Sequence, residues 1–328
     1  MTLIRPLAAI AALLLSTFIP ALAQTEETLP VEPQPAEAQP AEPAPDFTVP
    51  FASYGSDTLC LDIYMPADTL DSHLCVIFSY GGGFIDNNQR AASTSEFCRA
   101  LADEGFVAVA SDYRLGLKGV KMKSTLGMAK YVDSAIQLAS EDIFKATAYV
   151  LENAADLKVR PDGIILCGSS AGAITSLQCD YELCNRTPAA SVLPEEFRYA
   201  GIISFAGAVF SKEGRCDYRV HSPAPTLMLH GMSDKLVNYN KIAFFNTRFS
   251  GSNDLQKRFA KYGWSHEIIR FVDEGHGVAG RMMENFEDVM WFIENMVIEG
   301  RRFEIDKTVN DRDFIRSSWD SFKPENLY

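Results

Sequence analysis

Ile164-Ile165-Leu166-Cys167-Gly168-Ser169-Ser170-Ala171-Gly172 passes from a short apolar run, through a glycine-flanked serine, into a helix-like pattern that extends to about residue 183. Four apolar residues bounded by glycine are too few for a helix and read as a buried strand. A strand that turns into a helix through G-x-S-x-G must reverse sharply. That turn strains the backbone of the central serine and leaves almost no room for side chains beside it. The Ser170 hydroxyl then stands above a sheet at a helix N-terminus, whose unpaired N–H groups favour developing negative charge. Ser170 is the candidate nucleophile. The same five residues would also serve as a simple helix cap, so the reading depends on partners elsewhere.

Strand-like runs flank this unit at residues 59–65, 74–80, 107–112, 201–205, 226–230 and 267–272. Helical patterns intervene at 93–104 and 134–155, and a last one covers 282–298. Nearly continuous apolar strands alternating with helices predict an α/β fold, a mostly parallel central sheet with helices on both faces. Chemistry in such folds collects beyond the carboxyl ends of strands.

Three strand ends carry what a serine nucleophile needs: a base, an orienting acid and oxyanion donors. After 226–230 comes Gly231-Met232-Ser233-Asp234, and after 267–272 comes Glu274-Gly275-His276-Gly277. The flanking glycines are expected to give the backbone the freedom to swing the His276 imidazole over the sheet edge. The order is Ser170, Asp234, His276, with Asp273 and Glu274 as rivals for the acid. His230, at a strand end, reads as support for the sheet edge. Upstream, Tyr80-Gly81-Gly82-Gly83-Phe84 closes an early strand with three glycines that can bring bare N–H groups against a substrate oxygen.

With these motifs in place, the chain resembles an α/β-hydrolase of the carboxylesterase and hormone-sensitive-lipase-like type, from the glycine loop to His276. The resemblance implies Ser170 as nucleophile, His276 as general acid and base, Asp234 as its orienting acid, and Gly82, Gly83 and Ala171 as oxyanion donors. It implies no metal and no cofactor. Where the family's loop begins with histidine, this chain has Tyr80. Asp112-Tyr113-Arg114-Leu115 resembles the family's strand-end segment, in which the arginine is structural.

The 328 residues are 47% hydrophobic, enough for one large core. Residues 1–23 carry Arg5, an apolar run and Ala21-Leu22-Ala23, the pattern of a cleaved signal peptide, which predicts a secreted or periplasmic product. Residues 24–50 alternate Pro, Glu, Ala and Gln and read as a disordered linker, leaving 51–328 as the hydrolase domain. A net charge of −13 argues against nucleic acid or an anionic membrane as partner. No stable membrane insertion is expected after signal cleavage. The seven cysteines show no C-x-x-C spacing, and Cys179 with Cys184 is the pair nearest in sequence. The histidines are scattered, without metal-ligand spacing.

The stretch between 205 and 226 is short where related enzymes insert lids, which predicts a short cap and an open cleft; residues 115–131 are a second possible lid. Together these features predict a secreted serine esterase acting through an acyl-enzyme on a small-molecule ester or a polysaccharide-linked one. The alternatives are a prolyl-oligopeptidase-like peptidase and a non-catalytic binding module on the same fold.

Overall fold

The computed structural model describes residues 43–86, 91–120 and 125–310. The predicted signal peptide and most of the predicted linker lie outside the described residues. The elements follow in chain order as β1 (Phe47–Tyr54), β2 (Asp57–Tyr64), β3 (His73–Ser79), α1 (Ala92–Asp103), β4 (Val107–Ser111), α2 (Thr125–Glu152) and β5 (Val159–Ser169). After these come α3 (Ala171–Asn185), β6 (Gly201–Phe205), β7 (Ala208–Ser211), β8 (Thr226–Gly231), β9 (Lys241–Phe244) and β10 (Thr247–Gly251). The last are α4 (Ser252–Tyr262), β11 (His266–Phe271), α5 (Phe286–Phe292) and β12 (Glu304–Val309).

Nine strands form one sheet in the order β1-β2-β4-β3-β5-β6-β8-β11-β12. From β4 to β12 every pairing is parallel; β2 runs antiparallel to both of its neighbours. Successive residues of a strand point to opposite faces, and on the inner strands β3, β4, β6 and β8 both faces are covered, which explains why those strands carry no polar alternation, while the edge strands β1 and β12 are largely exposed. Val76 and Phe78 of β3 join the core packed by Phe97 and Leu101 of α1 and by Val289 and Phe292 of α5. Cys75 and Ile77 join the opposite core with Phe144 of α2, Leu177 of α3 and Leu255 of α4.

The strand order reverses at β3, which lies between β4 and β5. The crevice above such a reversal is where open α/β sheets bind ligands. The glycine loop leaves β3 and Ser170 leaves β5, and Ser79 pairs with Gly168 across them. This places the two motifs side by side.

Several boundaries differ from the sequence reading. β1 opens at Phe47, inside the stretch assigned to the linker by composition. Its Asp46 cap accepts from Met65 N at 2.7 Å, and Pro50, which has no N–H to donate, falls where the β1–β2 register shifts; an edge strand tolerates proline at such a bulge. The tail past residue 300 adds β12 in parallel to β11, while 311–328 lie outside the described residues. The 205–226 stretch contributes β7 to a second, three-stranded sheet in the order β7-β10-β9. β7 runs along α3, where the Gln178 amide brackets Phe210, donating to its carbonyl at 3.1 Å and accepting from its N–H at 3.0 Å. All seven cysteines are free thiols, Cys179 and Cys184 included.

Close packing of β3 against α3 rests on Gly172. A Cβ there would overlap the Ser79 carbonyl and lie 2.6 Å from the Tyr80 carbonyl oxygen. Both obstacles are backbone, so neither can rotate away. Gly172→Ala is expected to cost about 3 kcal/mol and lower Tm by roughly 6–12 °C, checked by calorimetry.

Candidate active site

Ser170 sits between β5 and α3 at φ 51° and ψ −115°. A non-glycine residue at positive φ is uncommon and costs about 1–3 kcal/mol unless its surroundings impose it. Here they do: Ser170 N–H donates to Phe205 O at 2.9 Å on the neighbouring strand, and Ser170 O accepts from Ile174 N at 2.9 Å. A Cβ on Gly168 would lie 2.7 Å from Ala173 N, so both glycines flanking the serine are steric requirements. Ser169 Oγ donates to Ala279 O at 2.6 Å, tying the elbow to the turn His276–Gly280.

Ser170 Oγ lies 2.8 Å from His276 Nε2, and His276 Nδ1 lies 2.7 Å from Asp234 Oδ2. A carboxylate only accepts, so Nδ1 carries the proton and Nε2 is left with a lone pair facing the Ser170 hydroxyl. The structure thus brings together Ser170, His276 and Asp234, and it selects Asp234 over Asp273 and Glu274. Asp234 is fully buried at its side chain, while that of His276 is 11% exposed.

The Asp234 carboxylate is held on every side. Oδ1 accepts from Leu236 N at 2.8 Å and Val237 N at 3.0 Å, and Oδ2 lies 3.2 Å from His230 Nε2. Burial works against its charge, but attraction to His276, hydrogen bonds from His230 and His276 and attraction to His230 together hold the carboxyl well below its usual range. His230 therefore does more than support a sheet edge. Its Nδ1 lies 2.7 Å from Ser252 Oγ and its Nε2 lies 2.9 Å from Val237 O, so Nε2 carries the proton that also reaches Asp234. The signal in sequence was its position, four residues before the acid on the same strand end.

The two carrier loops are zipped together. Met232 N–H donates to Phe271 O at 2.9 Å and Ser233 N–H to Glu274 O at 2.8 Å. A Cβ on Gly231 would lie 2.5 Å from Glu274 O. The glycines beside His276 do not use left-handed backbone; the residue that does is Asp273, at φ 60°. The imidazole is aimed by loop pairing rather than by glycine freedom.

Beyond β3, Gly82 and Gly83 take φ values of 124° and 63°. A Cβ on Gly81 would stand 3.3 Å from Ser170 Cβ, so the loop lies directly against the nucleophile. Among the described residues, the N–H groups of Gly82, Gly83 and Ala171 have no hydrogen-bond acceptor. Arg114 is structural: Nε donates to Asp142 Oδ2 at 2.8 Å, a second nitrogen to Glu141 at 2.8 Å, and the guanidinium lies 4.0 Å from the Tyr54 ring centre.

The family model BD-FAE matches residues 61–187, from β2 to just past α3. No curated protein matches the sequence. Among solved structures, the apo form of Thermogutta terrifontis esterase 2 is similar over 78% of this chain and 96% of its own, at 21% identity and a TM-score of 0.55. Its propionate-bound form aligns over 77% and 97%, with 21% identity and a TM-score of 0.54. The form phosphorylated by paraoxon aligns over 78% and 95%, with 20% identity and a TM-score of 0.54. Strand order, the glycine-flanked turn after β5 and these likenesses agree: the chain belongs to the α/β-hydrolase fold, and over residues 61–187 it matches BD-FAE.

Proposed function

We propose that the protein is a serine hydrolase of carboxylic esters. The observation that carries this reading is the chain from Ser170 Oγ through His276 to Asp234, with both links under 3 Å at 2.8 and 2.7 Å, on a serine at positive φ. Ser170 Oγ attacks the ester carbonyl as its proton passes to His276 Nε2. Asp234 stabilises the resulting imidazolium. The N–H groups of Gly82, Gly83 and Ala171 receive the oxyanion. Collapse expels the alcohol, which takes the proton from Nε2 and leaves an acyl-enzyme. A water that gives its proton to His276 then attacks the acyl carbon, and the acid leaves as Ser170 regains its proton.

The substrates are short-chain or carbohydrate-linked esters, and residues 1–23 export the enzyme to the periplasm or the medium. In support, the stretch between β6 and β8 packs along α3 as β7, and Ser170 is only partly buried. The likeness to an esterase solved with propionate agrees with a small acyl group.

The test offers purified protein a nitrophenyl acetate-to-decanoate series, acetylated and feruloylated saccharides, and aminoacyl nitroanilides. Turnover of short esters with fluorophosphonate labelling of Ser170 is expected. Amide-only turnover would reassign it as a peptidase, and no turnover with no labelling would refute an enzyme. Asp234, held ionised below the usual carboxylate range, keeps its charge down to about pH 4, so this carboxylate adds no acid limb to kcat/KM above that pH, and a carboxylate limb there would count against Asp234 as the orienting acid.

A further inference from the structure

We infer that Tyr113 is a positioning residue for the oxyanion loop, a strut that holds the three glycines in their working conformation; this rests on the hydrolase reading above. Tyr113 lies in the segment after β4, is 2% exposed, and its OH donates to Tyr80 O at 2.8 Å. Its ring stacks on Tyr80 at 4.6 Å between centres and meets Phe84 edge-on at 6.0 Å. Tyr80 and Phe84 are the two residues that bracket Gly81, Gly82 and Gly83. One side chain therefore touches both roots of the loop. Four residues on, Leu117 N–H donates to Phe84 O at 3.0 Å, so the same segment fixes the loop's exit through backbone.

The geometry matters because of what glycine lacks. Three consecutive glycines cost the most conformational entropy to order, and nothing in their own side chains selects one state. The Tyr80 carbonyl and the Gly81 N–H belong to one planar peptide. Pinning that oxygen sets the plane from which the chain turns into Gly82 and Gly83. The strut is itself anchored: Arg114, the next residue, has its N–H on Asp142 Oδ2 at 2.8 Å and its side chain on Asp142 and Glu141 of α2. The segment Asp112 to Leu117 thus transmits the position of α2 to the loop. Preorganised donors stabilise a transition state because they need not reorganise as charge develops. A looser loop would bind the ground-state ester about as well and the oxyanion less well.

The experiment uses Tyr113→Phe, which deletes the hydroxyl and keeps the ring. Rates are expressed per Ser170 titrated with a fluorophosphonate, so that a loss of folded protein does not enter. The expected result is a kcat lower by about tenfold, less than the roughly 10²–10³-fold that follows loss of an oxyanion donor, with KM unchanged. A trifluoromethyl ketone that forms a tetrahedral adduct on Ser170 should weaken by the same factor, because its affinity tracks transition-state binding. Tyr199→Phe removes an equally buried hydroxyl, 3.1 Å from Thr147 Oγ1 in the core shared by α2 and β6, and should leave the per-site rate alone. A Tyr113→Phe rate per site equal to wild type, or a fall in kcat without weaker ketone binding, would overturn the strut while leaving the hydrolase reading intact. Absence of turnover by the wild type would overturn both.

Discussion

Ser170→Ala and His276→Ala are each expected to lower kcat by about 10⁶-fold, and the double variant by no more than either alone. The two groups act as one device. Without His276, no other side chain among the described residues accepts the Ser170 proton; without Ser170 Oγ, the lone pair on His276 Nε2 faces no nucleophile. The 2.8 Å link between them makes this coupling direct. Residual hydrolysis of about 10³–10⁴ over water should persist in all three variants, from the oxyanion donors and binding alone. Single-turnover kinetics on a nitrophenyl ester, with circular dichroism to confirm folding, provides the check. Losses that multiply in the double variant would mean that the two residues act independently, and the assigned relay would be wrong.

Asp234→Asn is expected to lower kcat by about 10⁴-fold, and the surroundings of this carboxylate say by what route. Both its oxygens accept two donors. Those on Oδ1 are backbone N–H groups of Leu236 and Val237, which cannot change; those on Oδ2 are imidazoles, whose protons can move to the other ring nitrogen. An asparagine amide will therefore keep its oxygen on the backbone pair and turn its NH₂ toward the rings. That forces the proton of His276 onto Nε2, where it faces Ser170 as a donor and removes the base. The fold should survive with a modest drop in Tm, since the Oδ1 bonds persist. A variant retaining more than about a tenth of wild-type kcat would show that Asp234 does not set the tautomer.

Most of the sheet was legible because parallel strands buried on both faces leave unbroken apolar runs, and residues 74–80 and 164–167 are such runs. The candidate triad was legible from order and from strand ends, since loops beyond parallel strands converge over one crevice. What escaped has physical reasons. β1 carries Pro50 and follows a proline-rich stretch, so its composition masks an edge strand whose register shift accommodates the ring. β7, β9 and β10 run for only four or five residues each; β9 and β10 pair locally, but β7 meets β10 only across a long stretch of sequence, as in the pairing of Phe249 with Phe210. Helix α5 begins at Phe286 and passes into a π-helical turn at Ile293–Ile298, whereas the apolar spacing predicted a single helix from 282. The glycines beside His276 suggested backbone freedom, but the structure uses pairing between two loops instead. His230 was read by position alone, because nothing in sequence announces that its ring will share Asp234 with His276.

The close approach of Gly172 to the Ser79 and Tyr80 carbonyls limits how this protein can change. Nucleophile and oxyanion loop leave adjacent, register-paired strands and are pressed together without an intervening side chain. Their separation is thus a property of the sheet, inherited by every variant that folds. Substrate range is free to drift only through residues that take no part in this contact. Directed evolution for new esters should accumulate its substitutions there, and libraries built on residues 79–84 or 168–173 should return mostly unfolded or unaltered clones.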